Sequence, residues 1–305
     1  MRRQFVSTLG SHLIATALVD TSRTCARIVP LAFGNTIAQP FADAVYATAT
    51  TARENATRNF AHVLGLSEDD PTVRRTARGA FRHFSRFVAE SIHAQSWGRE
   101  DMRDRVDIIG SEHLDAAADG RKGVIFVSAH MGATEIAAAV AVIKGFRVTS
   151  VIEPVKPEWL MDCVLISRAR MGISLIPSAG AGISLIRELR RGGMVAFAVD
   201  AGIDRPDSIP VTFFGRQTPF PEGPARLARL TGVPVIFAAS VRTAPGRYRV
   251  HIQPPLVSDR ELDAEDDIAQ MTQCIAATLE NFVRRRPAQW YAFRDMWPEP
   301  TSCSS

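Results

Sequence analysis

The longest apolar run in the chain, residues 124–143, is about as long as a bilayer-spanning helix, roughly 20 residues, yet its contents argue for another fold. His130 and Glu135 sit in its middle with Gly132 between them, and it opens on the block Val124-Ile-Phe-Val127. This reads as a buried strand, a turn and a helix. A strand apolar on both faces belongs to a parallel sheet covered on both sides by helices. One run of sequence therefore points to an α/β architecture.

The rest of the chain agrees with that reading. From residue 105 onward, strand and helix signals alternate. Strands are expected at 106–109, 123–127, 147–152, 174–176, 194–199, 211–213, 235–241 and 247–253. Helices are expected at 111–119, 133–144, 157–171, 182–191, 221–231 and 264–285. The expected fold is α/β, a mostly parallel central sheet flanked by helices, with a helical N-terminal region. Residues 1–100 show helical periodicity instead, as in Val45, Ala49, Ala52, Ala56 and Phe60 ahead of Gly65. A second stripe runs from Val73 through Ala77, Phe81, Phe84 and Val88, and starts at the acids before Pro71. Two regions follow, a helical 1–100 with membrane-docking and packing roles and a catalytic 101–305, expected to form one integrated unit. The pentapeptide GISLI at 172–176 and 182–186 stands alone and signals no repeat architecture.

Composition excludes several classes. With 305 residues and 46% apolar content, the chain can bury a core without disulfides or metals. Its four cysteines at 25, 163, 274 and 303 are far apart, which argues against a zinc site and a secreted disulfide scaffold. The net charge of +4 is carried almost wholly by arginine, since only Lys122, Lys144 and Lys156 are lysines. A GC-rich genome explains the arginine excess most simply, and the positive balance is also compatible with an anionic membrane surface or substrate. No basic run or motif marks a nucleic-acid binder. A GxSxG nucleophile elbow, a GxxxxGK[ST] phosphate loop, a GxGxxG fingerprint and an HExxH zinc helix are all missing. No cofactor and no metal are expected.

At the N-terminus, Arg2, Arg3, Arg23 and Arg27 accompany Phe5, Leu9, Leu13, Ile14, Leu18, Ile28, Leu31 and Phe33. This segment reads as amphipathic helix lying on an anionic membrane rather than as a signal peptide. The expected location is peripheral, on the cytoplasmic face of the cell membrane.

The chemistry concentrates in Val127-Ser-Ala-His130-Met-Gly132-Ala-Thr-Glu135. Ligands of open α/β sheets bind at the C-terminal ends of strands, and the next helix presents its N–H groups there. A histidine held in one tautomer by Glu135 would accept a proton from an attacking hydroxyl. The bland alternative is a satisfied loop histidine beside an ordinary first-turn acid.

His130 and Glu135 resemble the HxxxxD/E motif of glycerolipid acyltransferases. The surrounding blocks are similar to the branch that holds bacterial lipid A late acyltransferases and phosphatidylinositol mannoside acyltransferases. The supporting stretches are Val151-Ile-Glu153-Pro-Val-Lys-Pro157-Glu, Arg168-Ala-Arg-Met-Gly172 and Val199-Asp200. Phe213-Phe214-Gly215 with Gly223-Pro-Ala225, and Arg286-Pro287-Ala-Gln289-Trp290, complete the set. The resemblance implies transfer of a fatty acyl chain from acyl-CoA or acyl carrier protein to a glycolipid hydroxyl, with a phosphatidylinositol-mannoside-like acceptor favoured. It makes His130 the general base and Glu135 its orienting acid, while Glu153, Arg168 and Asp200 shape the acceptor site, with Asp204 competing for the role of Asp200. Two of these have plainer readings: Glu153 as a strand end before Pro154, and Arg168 as a solvated helix arginine. Trp290, Tyr291, Phe293 and Trp297 read as core or interface anchors. Lipid A or lysophospholipid acyltransfer is the alternative within the class, and a thioesterase or lipid hydrolase the alternative outside it.

Overall fold

Residues 9–118, 123–153, 157–178, 180–200 and 207–298 are described by a computed structural model of the chain. The first part is helical: α1 (Leu9–Ile28), α2 (Leu31–Thr48), α3 (Thr50–Leu64), α4 (Pro71–Ala94) and α5 (Arg99–Arg105). Local sequence sets these boundaries. Gly65 closes α3 in the left-handed conformation, φ +65°. Asp70 caps α4 by accepting from the Thr72 N–H at 2.6 Å, with Pro71 at the first helical position.

The α/β part continues with β1 (Val106–Ile109), α6 (Ser111–Ala118), β2 (Val124–Ser128), α7 (Thr134–Ile143), β3 (Val148–Ile152), α8 (Glu158–Arg170), β4 (Ile173–Pro177), α9 (Gly182–Arg190) and β5 (Met194–Ala198). It closes with β6 (Ser208–Phe213), β7 (Arg216–Pro221), α10 (Gly223–Thr231), β8 (Val235–Ala244), β9 (Arg247–Ile252) and α11 (Ala264–Arg285). The seven-stranded sheet has the order β1-β9-β8-β2-β5-β3-β4. All its pairings are parallel except β8 with β9. The apolar run that opened the sequence analysis is thus β2 and α7, and every residue of β2 is buried.

One strand escaped the sequence reading. β6 and β7 form a separate antiparallel ribbon joined through Phe214 (φ 50°) and Gly215 (φ 76°), a two-residue turn with both φ positive. β7 holds Pro219 and Pro221 among polar residues, which hides its strand signal; a two-stranded ribbon leaves edge positions where proline is tolerated.

The N-terminal helices divide by burial. Phe60 of α3 and Val73, Ala77 and Phe81 of α4 belong to the same apolar cluster as Ile125 and Val127 of β2. α1 lies against α8, with Ala15 and Val19 buried and Arg170 paired to Asp20 at 2.6 Å. The outer faces of α1 and α2 remain exposed, carrying Leu13, Ile14, Leu18, Ile28, Phe33, Ile37 and Phe41. Among the described residues, no helix is long and apolar enough to cross a membrane. Arg2, Arg3 and Phe5 lie outside the described residues.

Candidate active site

His130, Glu153 and Asp200 follow the C-terminal ends of β2, β3 and β5, which are neighbours in the sheet. The parallel arrangement therefore gathers at one edge three residues that are dispersed in sequence. β2 ends at Ser128, and the loop reverses at Gly132 (φ +62°) before α7 begins. A Cβ on Gly132 would lie 1.8 Å from the Ser240 carbonyl oxygen, so no other residue fits this turn.

The loop is gripped from outside by a strap that follows α11. Gly132 N–H donates to the Gln289 carbonyl at 2.8 Å, and Tyr291 N–H donates to the His130 carbonyl at 2.8 Å. The Tyr291 hydroxyl donates to the Gly132 carbonyl at 2.6 Å. The Gln289 side chain bonds both backbone groups of Arg242 on β8, accepting from its N–H at 2.8 Å and donating to its carbonyl at 2.9 Å. Beneath the strap, Arg242 and Glu90 of α4 form an ion pair with 5% and 1% of their side chains exposed. His83 faces Arg242 at 2.8 Å, and burial followed by the charges of Arg242, Arg86 and Arg286 pushes its pKa down to about 4.

His130 and Asp200 form a dyad. Nδ1 of His130 lies 2.9 Å from Oδ1 of Asp200, and the His130 backbone N–H donates to the same carboxylate at 2.9 Å. The indole N–H of Trp290 donates to Oδ2 at 3.0 Å. Asp200 is only 3% exposed, whereas the imidazole is 51% exposed. A carboxylate can only accept, so in the neutral imidazole Nδ1 carries the proton and Nε2 keeps its lone pair. Burial opposes both charges, but the mutual attraction and hydrogen bonds prevail. The His130 pKa is raised and that of Asp200 lowered. The charges of Arg168 and Arg294 work against the rise at His130.

The pairing expected between His130 and Glu135 is not the one observed. Glu135 stands on the first turn of α7, past the reversal at Gly132, and its Oε1 accepts from Arg168 Nε at 3.0 Å and Nη2 at 2.7 Å. Asp200 takes the orienting position instead. Arg168 is correspondingly no solvated helix arginine, since it ties the end of α8 to the start of α7 beside the dyad. Glu153 lies 3.9 Å from Nη1 of Arg294. Asp204 falls outside the described residues.

Two participants were missed from sequence. Trp290 is fully buried as expected of a core residue, packing on Phe60 and Phe213, yet its N–H serves Asp200. Arg294 carries no local pattern at all; only its position shortly after the Gln289-Trp290 block could have drawn attention to it. Among the described residues, no group of three histidine, cysteine or acidic side chains is placed to hold a metal ion.

A base backed by a buried carboxylate at the edge of a parallel sheet suits proton removal from a hydroxyl, and the comparisons with known proteins agree in class. The chain is 25% identical over 261 residues to the phosphatidylinositol mannoside acyltransferase of Mycolicibacterium smegmatis, covering 84% of this chain and 83% of that protein. It is 27% identical over 252 residues to the protein of the same name from Mycobacterium tuberculosis H37Rv, covering 80% and 77%. A lipid A biosynthesis acyltransferase of Haemophilus influenzae is 24% identical over 196 residues, covering 63% of this chain and 59% of its own length. The profile described as bacterial lipid A biosynthesis acyltransferase matches residues 11–298, and the chain is a member of that acyltransferase family.

Proposed function

We propose that this acyltransferase moves a fatty acyl chain from an acyl thioester to a hydroxyl of a phosphatidylinositol-mannoside-like glycolipid, with His130 as general base. The observation that carries the reading is the dyad, with Nδ1 tied to buried Asp200 and the ring half exposed. Nε2 removes the acceptor hydroxyl proton as the oxygen attacks the thioester carbonyl. The tetrahedral adduct then collapses, and the departing thiolate takes the proton back from the imidazolium. The products are the glycolipid ester and the free thiol, with no covalent enzyme intermediate. Asp200 stabilises the imidazolium formed between these steps.

The mannoside acceptor is favoured over lipid A because the two mycobacterial relatives align over a larger share of both chains than the Haemophilus protein does. The acyl donor, acyl-CoA or acyl carrier protein, is part of the same proposal. So is a peripheral position on the cytoplasmic face of the membrane, supported by the exposed apolar faces of α1 and α2.

The test is acyl transfer by the purified chain, with acyl-CoA and acyl carrier protein offered in turn to phosphatidylinositol mannoside and to a lipid A precursor. Ester formed on the mannoside, with free fatty acid released only slowly, is the expected result. Fatty acid release at the same rate with and without acceptor would replace this reading by a hydrolase.

A further inference from the structure

Arg294 combines a fixed backbone with a largely exposed head group that has, among the described residues, only a long ion pair to Glu153. Asn59 of α3, itself buried, uses its side chain wholly on the segment 292–296. Its amide donates to the Ala292 carbonyl at 2.9 Å and to the Arg294 carbonyl at 2.6 Å, and its oxygen accepts from the Met296 N–H at 3.1 Å. On either side, Asn55 donates to the Phe293 carbonyl at 3.2 Å and Arg58 pairs with Asp295 at 2.6 Å. Three side chains of one helix thus fix the loop from which Arg294 projects, while the Arg294 side chain is 70% exposed.

The two arginines whose charges reach His130 are placed differently. Arg168 is occupied by two hydrogen bonds to Glu135. Arg294 reaches Glu153 only at 3.9 Å, beyond hydrogen-bond range. A cation beside a general base makes that base weaker, which is a cost to proton abstraction unless an arriving anion neutralises it. The guanidinium fork matches a phosphate in bidentate geometry, and it exchanges readily from a long, solvated contact.

We infer that Arg294 is a recognition residue for a phosphate ester of a substrate, which displaces Glu153 from the guanidinium and seats the reacting group against His130. The inference rests on the acyl-transfer reading for its two possible sources: the phosphodiester of a glycolipid headgroup, or the phosphates of a thioester donor. Glu153 is a counter-charge that keeps Arg294 in place until the phosphate arrives. Substrate binding thereby also lifts the opposing charge from the base.

Calorimetric titration of the full chain with glycerophosphoinositol and with coenzyme A tests this, in wild type, Arg294→Gln and Arg294→Lys, with circular dichroism to verify the fold. Arg294→Gln is expected to weaken at least one probe about tenfold, with Arg294→Lys recovering part of the loss because it keeps the charge but not the fork. The probe that weakens identifies the source, and the KM of the matching substrate rises while kcat falls less. Wild-type binding of both probes by Arg294→Gln would overturn the inference, as would equal losses in Gln and Lys. A phosphate probe bound through Arg294 by a protein that forms no ester would instead sink the acyl-transfer reading and leave this site standing.

Discussion

Trp290 donates its indole N–H to Asp200 at 3.0 Å, so a fully buried core residue also touches the carboxylate paired with His130. Three donors converge on that carboxylate: the His130 backbone, the His130 ring and the indole. Removing one leaves the remaining negative charge more available to the imidazolium.

Trp290→Phe is therefore expected to move the acidic limb of kcat/KM to higher pH, because His130 becomes more basic and must lose its proton to act. The lost ring volume is also expected to lower stability by about 1–3 kcal/mol. A pH profile alongside a melting curve separates the two effects. A variant that is merely loosened would lose rate at every pH with the limb unmoved.

With His130 as the proposed base, activity is expected to fall as pH drops through its raised pKa, since only the neutral imidazole accepts a proton. Asp200→Asn removes the charge that raises it, and the new amide N–H can bond Nδ1 and leave the proton on Nε2. The expected loss is on the order of 10²–10⁴-fold, with the residual limb at lower pH. Glu135→Gln also shifts the limb downward, through the freed charge of Arg168, but by less. The opposite ranking in the two pH profiles would restore Glu135 as the orienting acid.

Glu90 and Arg242 are a buried pair whose rupture strands a charge. Glu90→Ala is expected to cost about 3–5 kcal/mol, read as a shift in the urea midpoint. Replacing both partners by apolar residues of similar volume should recover much of that loss. Equal destabilisation by the single and double variants would show that packing, not charge, matters here.

Vesicle co-sedimentation addresses α1 and α2. Changing Arg2, Arg3, Arg23 and Arg27 to glutamine is expected to weaken binding to phosphatidylglycerol vesicles by on the order of 1 kcal/mol for each residue near the surface. That part should fade with salt. Phe33→Ser with Phe41→Ser should remove a salt-insensitive part, because both side chains are exposed on α2. Unchanged binding in the arginine variant would exclude electrostatic docking through these residues.

The sheet was legible because its strands announce themselves locally. Val124-Ile-Phe-Val127 is buried on both faces, and each later strand except β7 leaves a comparable apolar signal. His130 was legible as well, since a strand end, a glycine and a helix start surround it. Its partner was not. Glu135 is close in sequence, but the reversal at Gly132 and the bond to Arg168 direct it elsewhere, while Asp200 arrives from β5 through strand order alone. Sequence spacing reports neighbours within a turn of helix or along a strand; it carries no information about which strands lie side by side. The same limit concealed the Trp290 indole bond, because burial and hydrogen bonding at one side chain leave a single apolar signature in sequence.

The strap over the His130 loop has a consequence for how the enzyme comes into being. Gln289, Trp290 and Tyr291 come after every strand of the sheet in sequence, and each bonds a group far upstream of it. A nascent chain still on the ribosome can pair β2 with β5, but it has no partner for Gly132 N–H and no indole for Asp200 until residues 289–291 emerge. The clamp on the proposed base thus forms only after every strand of the sheet has been synthesised, and a product terminated before residue 289 would carry all of those strands while lacking it.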